Sequence, residues 1–218
     1  MALRVYERLI VGLLQCNCYL VGDPETSDAI VVDPGGEPDA ILAAAERHGL
    51  RLGAAVATHA HFDHVLAAEA LRQRAGIPFW LHGDDFGILS HQQEAGLWFL
   101  GVELPPPPEV DRRLADGDEA AAGSLRLEVV HTPGHTPGSI SLVAPGEAVF
   151  SGDTLFQGSI GRTDLPGGSQ EHELASIRNR LFPLGDLPVY PGHGEATTLH
   201  RERASNPYVG ASSGFWVP

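Results

Sequence analysis

The stretch AVATHAHFDHVLAA, from Ala55 to Ala68, sets His59, His61, Asp63 and His64 within six residues, directly after a run of small apolar residues. "RLGAAVATHA" has the short apolar run of a buried strand, and "DHVLAAEALRQRAG" has helical spacing closed by Gly76, so the cluster falls in a strand-to-helix turn. Imidazoles and carboxylates are costly to desolvate. A chain that gathers them at the carboxyl end of a strand is therefore constrained to an α/β sheet whose strand ends open on a ligand cleft.

Three more strand-like runs stop in the same way, beside Gly or Pro. "HTPGHTPGS" contributes His135, "FSGDTLF" contributes Asp153 and "YPGHG" contributes His193. Taken singly, each histidine reads as a hydrogen-bonded structural residue. As a set, five His and two Asp gathered by sharp turns would be too costly to desolvate without a cation. Imidazole and carboxylate donors suit zinc, with iron or manganese also compatible, and they suffice for two divalent ions sharing one carboxylate.

The rest of the chain supplies the framework. "ERLIVGLL", "CNCYLVG" and "AIVVDPGG" read as early strands, and "EPDAILAAAERHG" as a helix stopped by Gly49. The middle, "HGDDFGILSHQQEAGLWFLGVELPPPPEV", is less regular, and Pro105 to Pro108 impose an extended crossing. After it "SLRLEVVHTPG", "GSISLVAPG" and "AVFSGDTLF" read as strands. "SQEHELASIRNRLF" reads as a helix with Ser169 as N-cap and Glu171 and Glu173 favourable in its first turn. "DLPVYPGHG" makes a last strand, giving two similar sheet-and-helix halves.

Composition narrows the partners. The 218 residues suit a single larger domain over 1–218, and a formal net charge of -14 disfavours nucleic acid and anionic membranes. No stretch approaches the roughly 20 apolar residues of a membrane span, and "MALRVYERLIVGLLQCNCYLVG" lacks the form of a secretory signal. Cys16 and Cys18 stand two apart on a strand, point to one face and read as buried thiols, which fits a reducing cytoplasm.

The pattern Thr-His-x-His-x-Asp-His, followed by His135, Asp153 and His193, closely resembles the metallo-β-lactamase-fold hydrolases, and within them the short glyoxalase II-like proteins. The resemblance runs from "NCYLV" through "VDPGG" to "YPGHG". It implies a four-layer αββα sandwich in which His59, His61 and His135 hold one metal, Asp63, His64 and His193 hold the second, and Asp153 bridges them. "HTPGH" assigns its ligand to His135, leaving His131 a supporting role, while His48, His82, His91, His172 and His200 match no ligand position and read as surface or packing residues. An Asp at 153, where antibiotic-hydrolysing members carry Cys or Ser, argues against a β-lactam substrate. Gly161 to Asp164, "GRTD", looks like the segment shared by short glyoxalase II-like hydrolases and persulfide dioxygenases, with Arg162 and Asp164 paired in the site wall. Typical glyoxalase II enzymes carry a further helical domain that grips glutathione. After His193 the sequence offers only "GEATTLHRERASNPYVGASSGFWVP", whose Arg201 and Arg203 read as a charged helix face, so a chain without that domain is expected.

The activity implied is hydrolysis of a small-molecule thioester such as an S-2-hydroxyacylglutathione by a metal-bound hydroxide, with Asp63 orienting the water and taking its proton. The alternative is a mononuclear Fe(II) persulfide dioxygenase of the same fold, its iron held by His61, His135 and Asp153.

Overall fold

The structure, a computed structural model, describes residues 3–211 and 213, so Met1 and Ala2 of the opening stretch and most of the final "SSGFWVP" lie outside it. The chain groups into two compact units. One runs to Leu114 and takes in Ala120–Arg126; the other is Ala115–Glu119 and the chain from Leu127 onward.

In the first unit β1 (Arg4–Val11) and β2 (Cys16–Gly22) form a hairpin, followed by β3 (Asp28–Val32), α1 (Pro38–Arg47), β4 (Arg51–Val56), α2 (Phe62–Val65), α3 (Ala68–Ala75), β5 (Phe79–His82), α4 (Phe86–Ser90), α5 (Gln92–Leu100) and β6 (Arg112–Leu114). These six strands lie in chain order in one sheet, antiparallel from β1 to β3 and parallel from β3 to β6. Parallel neighbours need crossovers, here α1 and then α2 with α3, and burial on both faces explains the unbroken apolar runs of β3 and β4. Ile41, Ala44 and Ala45 of α1 recur at helical spacing and pack with Leu71 of α3 against Leu20, Val31 and Phe79. The carboxyl ends of β3 and β4 thus lie side by side, with Asp33 N donating to Val56 O at 2.9 Å.

The chain continues with β7 (Glu119–Ala122), β8 (Leu125–His131), β9 (Ile140–Ala144), β10 (Ala148–Gly152), β11 (Leu155–Phe156), β12 (Ser159–Ile160), α6 (Gln170–Ser176), β13 (Pro188–Pro191), β14 (Thr197–Thr198) and α7 (Leu199–Ser205). A second six-stranded sheet has the order β14-β13-β10-β9-β8-β7. Its β10 and β13 are parallel, joined by the crossover that contains α6, so the ends of these two strands come together and Gly192 N donates to Gly152 O at 2.8 Å. Val130, Val143, Val149, Ile177, Leu181 and Val189 fill the core beside this sheet.

Local departures from the sequence reading have physical causes. The helix expected from Asp63 to Gly76 is split into α2 and α3, because the Asp-Pro-Gly-Gly loop after β3 inserts beside it. A Cβ at Gly35 would overlap the Asp63 carbonyl oxygen, and Ala67 N donates to Pro34 O at 2.8 Å instead of continuing the helix. The middle is more regular than expected: α4 and α5 occupy it, but Leu97, Trp98 and Phe99 of α5 are exposed, so no single apolar stripe marks the helix. Beyond Ser176 the last expected helix widens and then tightens, over Ile177–Leu181 and Phe182–Leu184. Ser169 caps α6 as expected, its Oγ accepting from His172 N at 3.4 Å. Among the described residues no helix is long and apolar enough to cross a membrane.

Candidate metal centre

In the first unit the turn after β4 is built around Asp33, which stands just beyond β3 with φ 53°, a left-handed conformation that Asp tolerates better than most residues. The paired strand ends bring its carboxylate to the turn. Asp33 Oδ1 accepts Thr58 N at 2.7 Å, and Oδ2 accepts Thr58 Oγ1 at 2.9 Å and lies 3.1 Å from His64 Nδ1. Asp85, fully buried in the tight turn after β5, braces the other side by accepting Ala60 N at 2.8 Å. So held, the rings of His59 and His61 are 4.8 Å apart and those of His59 and His64 4.0 Å apart, and His64 Nε2 lies 3.7 Å from Asp63 Oδ2.

Cys16 touches the same histidine, its Sγ 3.5 Å from His64 Nδ1. Burial pushes this thiol up to about 12, His64 only partly offsetting it, so it is a neutral neighbour near pH 7. A proton on His64 Nδ1, directed at the Asp33 carboxylate, leaves the lone pair on Nε2.

The second unit repeats the arrangement with different partners. Asp153 follows Gly152, whose φ of 50° makes the sharp turn at the end of β10. Its Oδ2 lies 3.7 Å from Nε2 of both His135 and His193. His135 Nδ1 donates to the Arg162 carbonyl at 2.8 Å, and since a carbonyl can only accept, the ring's lone pair falls on Nε2, the nitrogen that faces Asp153. His135 N donates to Glu173 Oε2 at 2.9 Å. Burial, with the Asp153 charge adding to it, pushes the Glu173 carboxyl up to about 9.

Separations of 3.7 Å are too long for hydrogen bonds. They fit two donors on one ion, since ligands about 2.1 Å from a tetrahedral metal lie roughly 3.4 Å apart. In each unit the donor chemistry is imidazole plus carboxylate, which suits a borderline or hard divalent cation.

The sequence model of the metallo-β-lactamase superfamily matches residues 11–200, spanning both units. The chain belongs to that superfamily. It is 37% identical to hydroxyacylglutathione hydrolase GloC of Haemophilus influenzae, over 95% of this chain and 99% of that protein. The crystal structure of BLEG-1 B3 metallo-β-lactamase superposes with a TM-score of 0.87 at 36% identity, covering 93% of this chain and 98% of that one. That of TTHA1623 in a di-iron-bound form gives 0.84 at 40% identity, covering 93% and 99%. The fold is accordingly the metallo-β-lactamase fold, and the chain is a metallo-hydrolase of that superfamily. These relatives include both a hydroxyacylglutathione hydrolase and a B3 metallo-β-lactamase.

For this superfamily member, the first unit brings His59, His61, Asp63 and His64 together, and the second brings His135, Asp153 and His193 together. Arg162 and Asp164 pair in bidentate fashion, both bonds 2.8 Å, with both side chains more than half exposed. What Arg162 gives His135 is its main-chain carbonyl. His131 Nε2 donates to Pro137 O at 2.8 Å. Arg201 and Arg203 are exposed on α7, the latter over the Phe182 ring. Glu173 stands in the first turn of α6 as the sequence implies, and in addition it is buried and turned to the His135 loop. The sequence reading also missed Asp33, whose visible sign was an acid before Pro-Gly-Gly at a strand end.

Proposed function

We propose that the chain is a metal-dependent hydrolase of small thioesters, of the S-2-hydroxyacylglutathione type. The observation that carries the metal dependence is the matched geometry of the two donor sets: in each, a histidine whose Nδ1 is already engaged presents Nε2 3.7 Å from a carboxylate oxygen. Similarity to GloC over nearly the whole of both chains supports the thioester. The superfamily pattern supports assigning His59, His61 and His135 to one ion, Asp63, His64 and His193 to the other, and Asp153 to both. Zinc is the first candidate, with iron or manganese compatible with the same donors, and TTHA1623 has a di-iron form. Two such ions would supply Lewis acidity at the thioester carbonyl and lower the pKa of a bound water towards about 7.

The chain's own residues do the rest. Asp63 orients the attacking water and takes its proton. Asp33 and the Arg162 carbonyl hold His64 and His135 in the ligating tautomer. The Arg162–Asp164 pair shapes the outer wall of the loop. No nucleophilic side chain is needed, and with Cys16 and Cys18 free and buried, the reducing cytoplasm is the setting we favour.

Metal analysis of protein purified without added metal, beside hydrolysis of S-lactoylglutathione, tests the reading. Oxygen uptake with a glutathione persulfide tests the dioxygenase alternative, and a chromogenic cephalosporin tests β-lactam hydrolysis. Thioester turnover without oxygen uptake is expected. Oxygen consumption with no thioester turnover, or cephalosporin turnover alone, overturns the proposal.

A further inference from the structure

Glu173 has no place in the donor set, yet two loops close on its carboxyl. Oε2 accepts His135 N at 2.9 Å. A Cβ at Gly134 would overlap the Glu173 main chain, and one at Gly161 would overlap the Asp153 carbonyl oxygen and come within 2.9 Å of Glu173 Oε1, so both loops pass here without a side chain. The Gly161 amide donates to Thr154 O at 3.4 Å while its backbone packs on this carboxyl, and the next residue, Arg162, supplies the carbonyl that accepts from His135 Nδ1 at 2.8 Å. Glu173 Oε2, the His135 main chain, the His135 imidazole and the Arg162 carbonyl form one chain of contacts, and the Gly161 backbone, packed against Glu173 Oε1, brings that chain back to α6. Ser169 N donating to Gly134 O at 2.7 Å and Ser176 Oγ donating to Pro133 O at 2.7 Å fasten the same helix to the His135 loop from either side.

We propose that Glu173 is a positioning residue for His135, fixing its main chain directly and its ring through the loop that provides the Nδ1 acceptor. The inference rests on the reading of His135 as a metal ligand. A leucine at 173 would fill the space but leave His135 N without its acceptor and change the surface on which the Gly161 backbone packs. A glutamine keeps one carbonyl oxygen for His135 N and turns an NH2 group towards Gly161.

The test uses the full chain with Glu173→Leu, Glu173→Gln and Glu173→Asp. Zinc affinity is read by competition with a chromophoric chelator, folding by thermal unfolding of the metal-free protein, and the His135 tautomer by long-range 1H–15N NMR of the metal-free protein. We expect Glu173→Leu to stay folded, to lose the uniform Nδ1–H form of His135 and to weaken one zinc about 10–100-fold. Glu173→Gln recovers most of that loss. A folded Glu173→Leu with wild-type zinc affinity and an unchanged His135 tautomer overturns the proposal. If Glu173→Leu does not fold, Glu173→Asp decides, since its shorter arm withdraws the acceptor while keeping the acid, and wild-type affinity and tautomer there likewise overturn it. His135→Ala separates the two layers: unchanged zinc affinity in that variant removes the ligand reading, while the tautomer readout still reports whether Glu173 holds the ring.

Discussion

Asp33→Asn isolates the claim that a buried carboxylate sets the tautomer of His64. Asn is well accommodated at the φ of 53° that Asp33 adopts, so the backbone has no reason to move. Its carbonyl oxygen replaces Oδ1 and still accepts Thr58 N, bonded at 2.7 Å in the native chain. Its NH2 group replaces Oδ2, which accepts Thr58 Oγ1 at 2.9 Å and faces His64 Nδ1 at 3.1 Å. The hydroxyl can rotate to accept, but the ring must place its lone pair on Nδ1 and its proton on Nε2, the nitrogen 3.7 Å from Asp63 Oδ2. Metal binding then has to reverse that tautomer against a new hydrogen bond. Losing one hydrogen bond to a buried charge costs about 1.5–3 kcal/mol, and loss of a partner that orients a ligand costs about 10–100-fold in metal affinity. We expect zinc affinity to fall within that range, thioester turnover to fall with it, and 1H–15N spectra to show His64 as the Nε2–H form. Urea unfolding of the metal-free protein should show a smaller loss. Wild-type zinc affinity in a variant whose His64 carries the proton on Nε2 would refute the reasoning, because the nitrogen assigned to the metal would then not be needed.

Arg162→Ala should change activity by no more than a few-fold and leave thermal stability nearly unchanged. The group that serves His135 is the main-chain carbonyl, and the exposed Arg162–Asp164 pair is worth at most about 1 kcal/mol; a loss as large as that of a ligand variant would show a direct role for the guanidinium. Cys16 and Cys18 should resist iodoacetamide at pH 8 in the folded protein and react once denaturant is added, because burial raises both thiols, Cys16 to about 12. Mass-spectrometric labelling of either cysteine in the native state would contradict this. In acid, Arg72 holds the Asp111 carboxyl at about 2, below its ordinary value of 3.8, so the stabilisation is present above about pH 4 and is lost as pH falls through about 2. Arg72→Ala should therefore flatten the decline of urea stability between those values, and an identical decline in the variant would rule out this pair as its source.

The turns proposed to carry metal ligands were legible because each combines a β-rich run with Gly or Pro and a group that is expensive to bury, as at Thr58 to His64 and Gly152 to Asp153. Asp33 was not legible as a support. Before Pro34 and Gly35 an acid reads as turn chemistry, and its work depends on the parallel pairing of β3 with β4, which places Val32 opposite Val56. The contact of Glu173 with the His135 loop was not legible because a helical period cannot say which face meets a distant loop. The usable signals were Gly134 and Gly161, each a point where a backbone must pass without a side chain. The break between α2 and α3 was hidden for the same reason: local propensity favours one helix, and the loop holding Gly35 overrides it.

The two donor sets reach the same tautomer by unequal means. His64 Nδ1 faces a carboxylate, while His135 Nδ1 faces a neutral carbonyl. A carboxylate partner takes more of the Nδ1 proton's charge and makes the opposite nitrogen the more basic donor. His64 would therefore be the stronger electron donor of the two, and under the proposed assignment its hold on a cation would depend on one side chain that mutation can remove. Under the same assignment the hold of His135 would depend on a peptide carbonyl that no substitution at Arg162 removes, so in that half sensitivity to mutation would shift to the residue proposed to position the loop, Glu173 on α6.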